Sequence, residues 1–153
     1  MDWYKQLQTT ITDNDSTTDV KVSRILELGL DALGLGIAIV SRINDDVYTV
    51  QYAVSPGDMI TPGTQFSVGE TYCCHTLNAN HAVGFHNAGK SVIATHPCYT
   101  HFKLESYIGA PITSNSGIIL GTVNFSAAMP RDPFTEDDFK FINAIADWLG
   151  SVQ

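Results

Sequence analysis

Every cysteine and every histidine of this chain falls between Gly69 and Leu104: Cys73, Cys74 and Cys98, with His75, His81, His86, His96 and His101. Two groupings could do chemistry. Cys73-Cys74-His75 and His96-x-Cys98-x-x-His101 are half-sites of thiolate and imidazole, a donor set that zinc accepts. Structural zinc sites space their cysteines two to four residues apart, however, and adjacent cysteines point apart on a helix or a strand. No metal is therefore expected. The second chemistry is nucleophilic or redox: Cys73 or Cys98 beside an imidazole whose positive charge lowers the thiol pKa. Taken singly, each residue is as readily structural. A cysteine buries well as a small hydrophobe, and a histidine on a short strand is more often exposed or hydrogen-bonded than liganding. Their confinement to one stretch is the signal.

The elements that must hold this stretch can be read from periodicity. Val22, Ile25, Leu26, Gly29, Leu30 and Leu33 recur at three and four, which predicts a helix capped by Thr17 or Thr18 and ended at Gly34. Leu35 to Ile43 and Val47 to Val54 read as strands around Asn44-Asp45-Asp46. In the second, Tyr48, Val50 and Tyr52 alternate with Thr49 and Gln51, as on a half-exposed strand. Gln65 to Val68 and His81 to His86 are short strands, Thr71 to Asn78 a short helix, and Ala94 to Leu104 a short helix or structured loop. Ser106 to Ser126 predicts a central hairpin around Thr113-Ser114-Asn115-Ser116-Gly117, apolar on both faces of both arms. Thr135 and Asp138 form a capping-box pair before a last helix that buries Phe139, Ile142, Ile145, Ala146 and Leu149. Phe134 and Phe139 are placed as its hydrophobic staple. Residues 1–17, crowded with threonine, aspartate and serine, read as a tail or linker.

That order predicts an α+β fold: a central antiparallel β-sheet of about six strands with the N- and C-terminal helices on one face. The loops and short helices of residues 69–104 then cover the other face and form a pocket. Hydrophobic residues are 44% of the chain, enough for a packed core. The net charge of −8 argues against nucleic acid and anionic lipid as partners. No apolar run is long enough for a membrane span, and the first residues lack a secretory signal, so a cytoplasmic location is expected. An odd number of cysteines, two of them adjacent, suits a reducing compartment.

Four pieces carry a family resemblance: Glu70-Thr71-Tyr72-Cys73-Cys74-His75-Thr76-Leu77, His96-Pro97-Cys98-Tyr99, Ser106-Tyr107-Ile108-Gly109-Ala110-Pro111-Ile112, and Leu120-Gly121-Thr122-Val123-Asn124-Phe125-Ser126 followed by Pro130-Arg131-Asp132-Pro133-Phe134-Thr135-Glu136-Asp137-Asp138. In this order they resemble a GAF domain, a small sensory module of signalling proteins with a PAS-like layout, over residues 18–153. The resemblance implies a small-molecule or redox-cue sensor without catalysis of its own. It also implies a homodimer through the terminal helices and a histidine kinase or diguanylate cyclase downstream. Phe141 and Trp148, outside the apolar stripe, are expected to form the partner surface. Some GAF proteins reduce free methionine sulfoxide with cysteines, so a thiol-based redox enzyme or sensor using Cys73, Cys74 or Cys98 is the alternative. A structural dimerisation module is a further one. Bilin attachment is not expected, because Cys98 is followed by Tyr99 and Cys74-His75 lies in an earlier element than the usual site. The cyclic-nucleotide pattern is incomplete: Phe134-x₃-Asp138 is followed by Phe139.

The residues expected to bind the ligand are Tyr72, Cys73, His75, Thr76, His86, His96, Cys98, Tyr99, Tyr107, Gly109 and Asn124. Asn124 is included because Thr122, Asn124 and Ser126 share one strand face, while apolar Val123 and Phe125 belong under the helices. Gly109 is included because a bare backbone leaves room for a ligand or for an aromatic ring.

Overall fold

Helix α2 (Thr18–Leu33) begins where the threonines allow it. The Thr17 hydroxyl accepts the Val20 N–H at 3.3 Å, and Gly34 ends the helix at φ 69°, a left-handed conformation that glycine adopts without cost. The computed structural model describes residues 2–90 and 104–152. Six strands follow: β1 (Ile37–Asn44), β2 (Val47–Val54), β3 (Gln65–Ser67), β4 (Val83–Phe85), β5 (Ser106–Thr113) and β6 (Ile119–Ala127). They form one antiparallel sheet in the order β3-β2-β1-β6-β5-β4. The predicted central hairpin is thus interior to the sheet, and the fold is α+β.

Pro111 pairs with Thr122 on β6, and on its other side β4 stops opposite Gly109, so there is no ladder there for proline to break. The closing helix α3 of the middle segment spans Cys73–Ala79, and the last helix α4 spans Glu136–Ser151. Helix α4 starts with the expected capping box between Thr135 and Asp138. The Phe134 and Phe139 rings meet edge-on, 6.3 Å apart.

The sheet divides two cores. Ala38, Val40, Ile108, Ala110, Ile112, Val123 and Phe125 face α2 and α4. Ile39, Tyr48, Val50 and Tyr107 face α3. Gly29 lets the helix side close: a Cβ there would stand 2.4 Å from the Phe125 ring. Arg131 ties the last loop down. Its guanidinium donates to the Leu33 carbonyl at the end of α2, reaches Asp138 at 3.5 Å and lies 4.3 Å over the Phe134 ring.

Three expectations are corrected. The tail or linker expected at 1–17 is, among its described residues, not loose: Trp3–Ile11 form helix α1, capped by Asp2, whose carboxylate accepts the Lys5 N–H at 3.0 Å. Trp3, Leu7 and Ile11 lie at successive fours, and Leu7 is fully buried. The polar run tolerates the helix because Thr9 and Thr10 hydroxyls donate back to the Lys5 and Gln6 carbonyls. The turn after it is held by Asp13, which accepts from Ser16 and pairs with Arg24. Phe141 and Trp148 are not an exposed aromatic surface either. Phe141 is buried in the helix-side core and Trp148 packs against it.

Third, Tyr48, Val50 and Tyr52 do not share a face. The β1–β2 register slips between Val40 and Ser41, so Tyr48 and Val50 point to the α3 side while Tyr52 turns to the helices. There the Tyr52 hydroxyl donates to Asp19 at 2.5 Å.

Because Leu7 anchors α1, Leu7→Ala is expected to destabilise the domain by about 2–4 kcal/mol, through lost burial and the cavity left behind. Urea unfolding of the 153-residue chain checks this. A loss below about 0.5 kcal/mol would mean that α1 contributes nothing to the core.

Candidate functional site

Alternation along three strands sets the floor of the site. With Val123 and Phe125 turned to the helices, β6 presents Thr122, Asn124 and Ser126 to the other face, all buried. Beside them β1 presents Ile37, Ile39 and Ser41, and β5 presents Tyr107 and Gly109. The roof is α3. A short turn at Val68–Glu70, closed by the Thr71 hydroxyl donating to the Val68 carbonyl at 2.9 Å, delivers Tyr72 and the first helical residue, Cys73, onto the sheet.

The polar groups of floor and roof meet in one network. The Cys73 Sγ lies 3.1 Å from Thr122 Oγ1, 3.2 Å from Tyr107 Oη and 3.4 Å from the Asn124 amide nitrogen. Asn124 also donates to Tyr48 Oη at 3.1 Å. Thr76 Oγ1 meets Tyr107 Oη at 2.9 Å, and Ser41 Oγ meets Thr122 Oγ1 at 2.9 Å. Buried hydroxyls, a thiol and an amide satisfy one another here, which makes the floor rigid and costly to disturb.

A cavity of about 60 Å³ opens above this network. Its walls are apolar at Ile37, Ile39, Ile60 and Phe66, with Asn124 and Ser126 at the polar end. Tyr72 and Tyr107 close one side edge to face, 5.5 Å apart, and the Tyr72 hydroxyl donates to the Leu104 carbonyl at 2.9 Å.

The network is uncharged. Burial pushes the Cys73 thiol above its ordinary value, outweighing the hydrogen bonds from Thr122 and Tyr107 that favour the thiolate. Burial likewise holds the Tyr48 and Tyr107 phenols well above theirs, helped by the neighbouring Cys73. Cys74, turned away from Cys73 on α3, is half-buried, and its thiol is also raised, by burial and by Cys73. Such groups can grip a ligand through hydrogen bonds and shape. They are not activated as thiolate nucleophiles. Among the described residues no group of three His, Cys, Asp or Glu side chains could hold a metal ion.

Of the expected ligand-binding residues, the structure brings Tyr72, Cys73, Tyr107 and Asn124 to the cavity, with Thr76 directly behind Tyr107. His75 is half-buried against the Phe85 ring and does not line the cavity. His86 is exposed, and its carbonyl accepts the Arg131 N–H. Gly109 faces the ring of Tyr107 instead of open space. His96, Cys98 and Tyr99 lie outside the described residues, as does most of the helix or loop expected at 94–104.

Tyr48, Ser41 and Phe66 escaped the sequence reading. Ser41 pairs with Thr122 across β1 and β6, and a lone serine amid Ile39, Val40 and Ile43 was the available sign. Tyr48 was visible as a strand aromatic, but only the register slip beyond it decides which face it takes.

The sequence model of the GAF domain family matches residues 18–152. No curated protein sequence matches the chain. Solved structures agree with it in fold at low identity. The GAF domain of an Acinetobacter phosphoenolpyruvate-protein phosphotransferase is 13% identical, with a TM-score of 0.76 over 97% of this chain and 90% of that one. The chromophore-binding domain of a bacteriophytochrome from R. palustris is 12% identical, with a TM-score of 0.76 over 97% of this chain and 59% of that one. Free methionine-R-sulfoxide reductase from Neisseria meningitidis, solved in complex with its substrate, is 14% identical, with a TM-score of 0.72 over 95% of this chain and 83% of that one. The match along nearly the whole length, on this sheet order and with this helix layering, means that the chain belongs to the GAF domain family of sensory and regulatory small-ligand domains.

Proposed function

We propose that the domain senses a small uncharged molecule in the cavity between α3 and the sheet, on behalf of a signal-transduction protein. A histidine kinase or diguanylate cyclase is the output we envisage. The observation that carries this reading is the buried network of Cys73, Tyr107, Thr122 and Asn124 lying beneath an apolar-walled cavity. Apolar walls with a few placed hydrogen-bonding groups are the usual composition of a ligand site. The protonated thiol favours binding over thiol catalysis, since a cysteine nucleophile needs a lowered pKa.

Native mass spectrometry of the purified protein, with thermal shift against a library of neutral metabolites, tests the proposal. A retained or stabilising compound is expected, and Asn124→Leu should weaken it by about ten-fold or more, because one buried hydrogen-bonding end is lost. Near-ultraviolet circular dichroism confirms that the variant is folded. If no compound shifts the wild-type melting point, the sensor reading is wrong and a structural module takes its place.

A further inference from the structure

Taking the cavity between α3 and the sheet as the sensing site, and so resting on that reading, we propose that its ligand is a short-chain alcohol whose hydroxyl is held between Ser126 and Asn124. Ser126 is only 2% exposed and lines the cavity, yet its hydroxyl has no hydrogen-bond partner among the described residues. A buried hydroxyl is ordinarily paired, and leaving one unpaired costs free energy. The strand cannot roll to relieve it. The Ser126 carbonyl accepts the Gly36 N–H at 3.2 Å, and the residue is paired with Ile37 on β1 and Tyr107 on β5.

Asn124, earlier on the same strand face, has only its nitrogen engaged. Both amide hydrogens are used, one toward Tyr48 Oη at 3.1 Å and one toward Cys73 Sγ at 3.4 Å. The carbonyl oxygen of that amide has no partner among the described residues. Ser126 and Asn124 stand about 7 Å apart along the strand, so a third group is needed to join them. That group must accept from the Ser126 hydroxyl and donate to the Asn124 carbonyl. A hydroxyl does both, whereas a ketone or an ester only accepts. No charged side chain lines the cavity among the described residues, so nothing there matches a carboxylate or an ammonium group.

Size and walls set the rest of the molecule. A cavity of about 150 Å³ takes benzene, so the 60 Å³ here has room for about two to four non-hydrogen atoms. Ile37, Ile39, Ile60 and Phe66 face the remainder of that space and suit a short alkyl group. Water alone fits less well. A stable buried water makes about three hydrogen bonds, and beyond Ser126 and Asn124 it would meet these apolar walls.

The test titrates the 153-residue chain with n-propanol, n-hexanol, isopropanol, acetone and dissolved xenon, read by backbone-amide NMR at β6. Saturable binding of the propanols is expected with Kd between about 0.05 and 10 mM, the range open to so small a ligand. Non-specific partition into apolar surface strengthens with every methylene, so a bulk effect would favour n-hexanol. The cavity should instead bind n-hexanol about ten-fold more weakly than n-propanol. Acetone, isosteric with isopropanol but without the donor, should bind about five-fold more weakly than it does. Ser126→Ala should weaken isopropanol by about three- to ten-fold and leave xenon, which reads the cavity without polar contacts, within about two-fold. Unchanged xenon binding also shows that the variant keeps its fold and its cavity. Tighter n-hexanol than n-propanol, acetone equal to isopropanol, or isopropanol binding indifferent to Ser126→Ala would each overturn the alcohol as ligand. So would xenon binding with no alcohol binding. None of these results bears on the sensor reading itself, which fails only when the neutral library leaves the melting point unmoved.

Discussion

Gly109→Leu is expected to cost about 3–5 kcal/mol and to dismantle the polar floor of the cavity, adding overpacking to the loss of buried hydrogen bonds. The bare backbone at this position makes room for the ring two residues before it on the same strand face. A Cβ on Gly109 would stand 2.1 Å from Tyr107 Oη and 2.6 Å from its Cζ. The ring cannot retreat freely. Its hydroxyl is fixed by Cys73 at 3.2 Å and Thr76 at 2.9 Å, and its edge is packed by Tyr72. Any side chain at 109 therefore moves Tyr107, and moving Tyr107 unpairs the thiol and the Thr76 hydroxyl. Urea unfolding of Gly109→Ala, Tyr107→Val and the double variant separates this from general intolerance. The double variant should be more stable than the sum of the single losses predicts, by about 1–2 kcal/mol, because Tyr107→Val removes the atoms with which the new methyl collides. Strict additivity would mean that the ring is not what occupies the space. Reaction with a thiol reagent offers a second reading: Cys73 should become accessible in Gly109→Leu.

The same residue illustrates what the sequence could and could not tell. A glycine between Ile108 and Ala110 in an apolar strand announces close packing, and either a ligand or a ring satisfies it. Only the rotamer of Tyr107 decides. The alternation of Thr122, Asn124 and Ser126 with Val123 and Phe125 was enough to place the polar floor, because period two leaves no choice once one face is apolar. Helix starts at Thr17 and Thr135 were legible for a similar reason: capping is local chemistry. The helix α1 was not, since its case rests on Leu7 filling a space made by α2 and α4, a tertiary fact outweighing the low helix propensity of threonine. Phe141 was misread for the complementary reason. It lies beside the main apolar stripe of α4, and α1, which a tail reading leaves out, packs beside it. Tyr48 belongs to the cavity through a register slip opposite Gln51, and a bulge has no signature in residue types here.

Above about pH 9 the domain is expected to lose stability steeply, from groups that lie in the cavity floor. In the unfolded chain Tyr48 and Tyr107 titrate near 10.0 and Cys73 near 9.0. In the folded protein all three are raised, the phenols well above that value, chiefly because burial penalises the charged form. A raised folded value means that the stabilising contribution is fully present below the unfolded value and is lost as pH rises past it, since only the unfolded chain then releases its protons. At pH 11 the two phenols together remove roughly 3 kcal/mol, with the thiol acting in the same direction, against a total stability of about 5–15 kcal/mol. Tyr52, pushed up to about 12 chiefly by its hydrogen bond to Asp19, acts in the same direction. Urea midpoints at pH 7, 9 and 11 measure the slope, and Tyr48→Phe and Tyr107→Phe should each flatten it, whatever they do to stability at neutral pH. A stability unchanged between pH 8 and 11 would mean that these groups are hydrated in the native state. That outcome would also undo the case for a neutral ligand, because the cavity's preference for uncharged molecules rests on the same exclusion of water that keeps its phenols and thiol protonated.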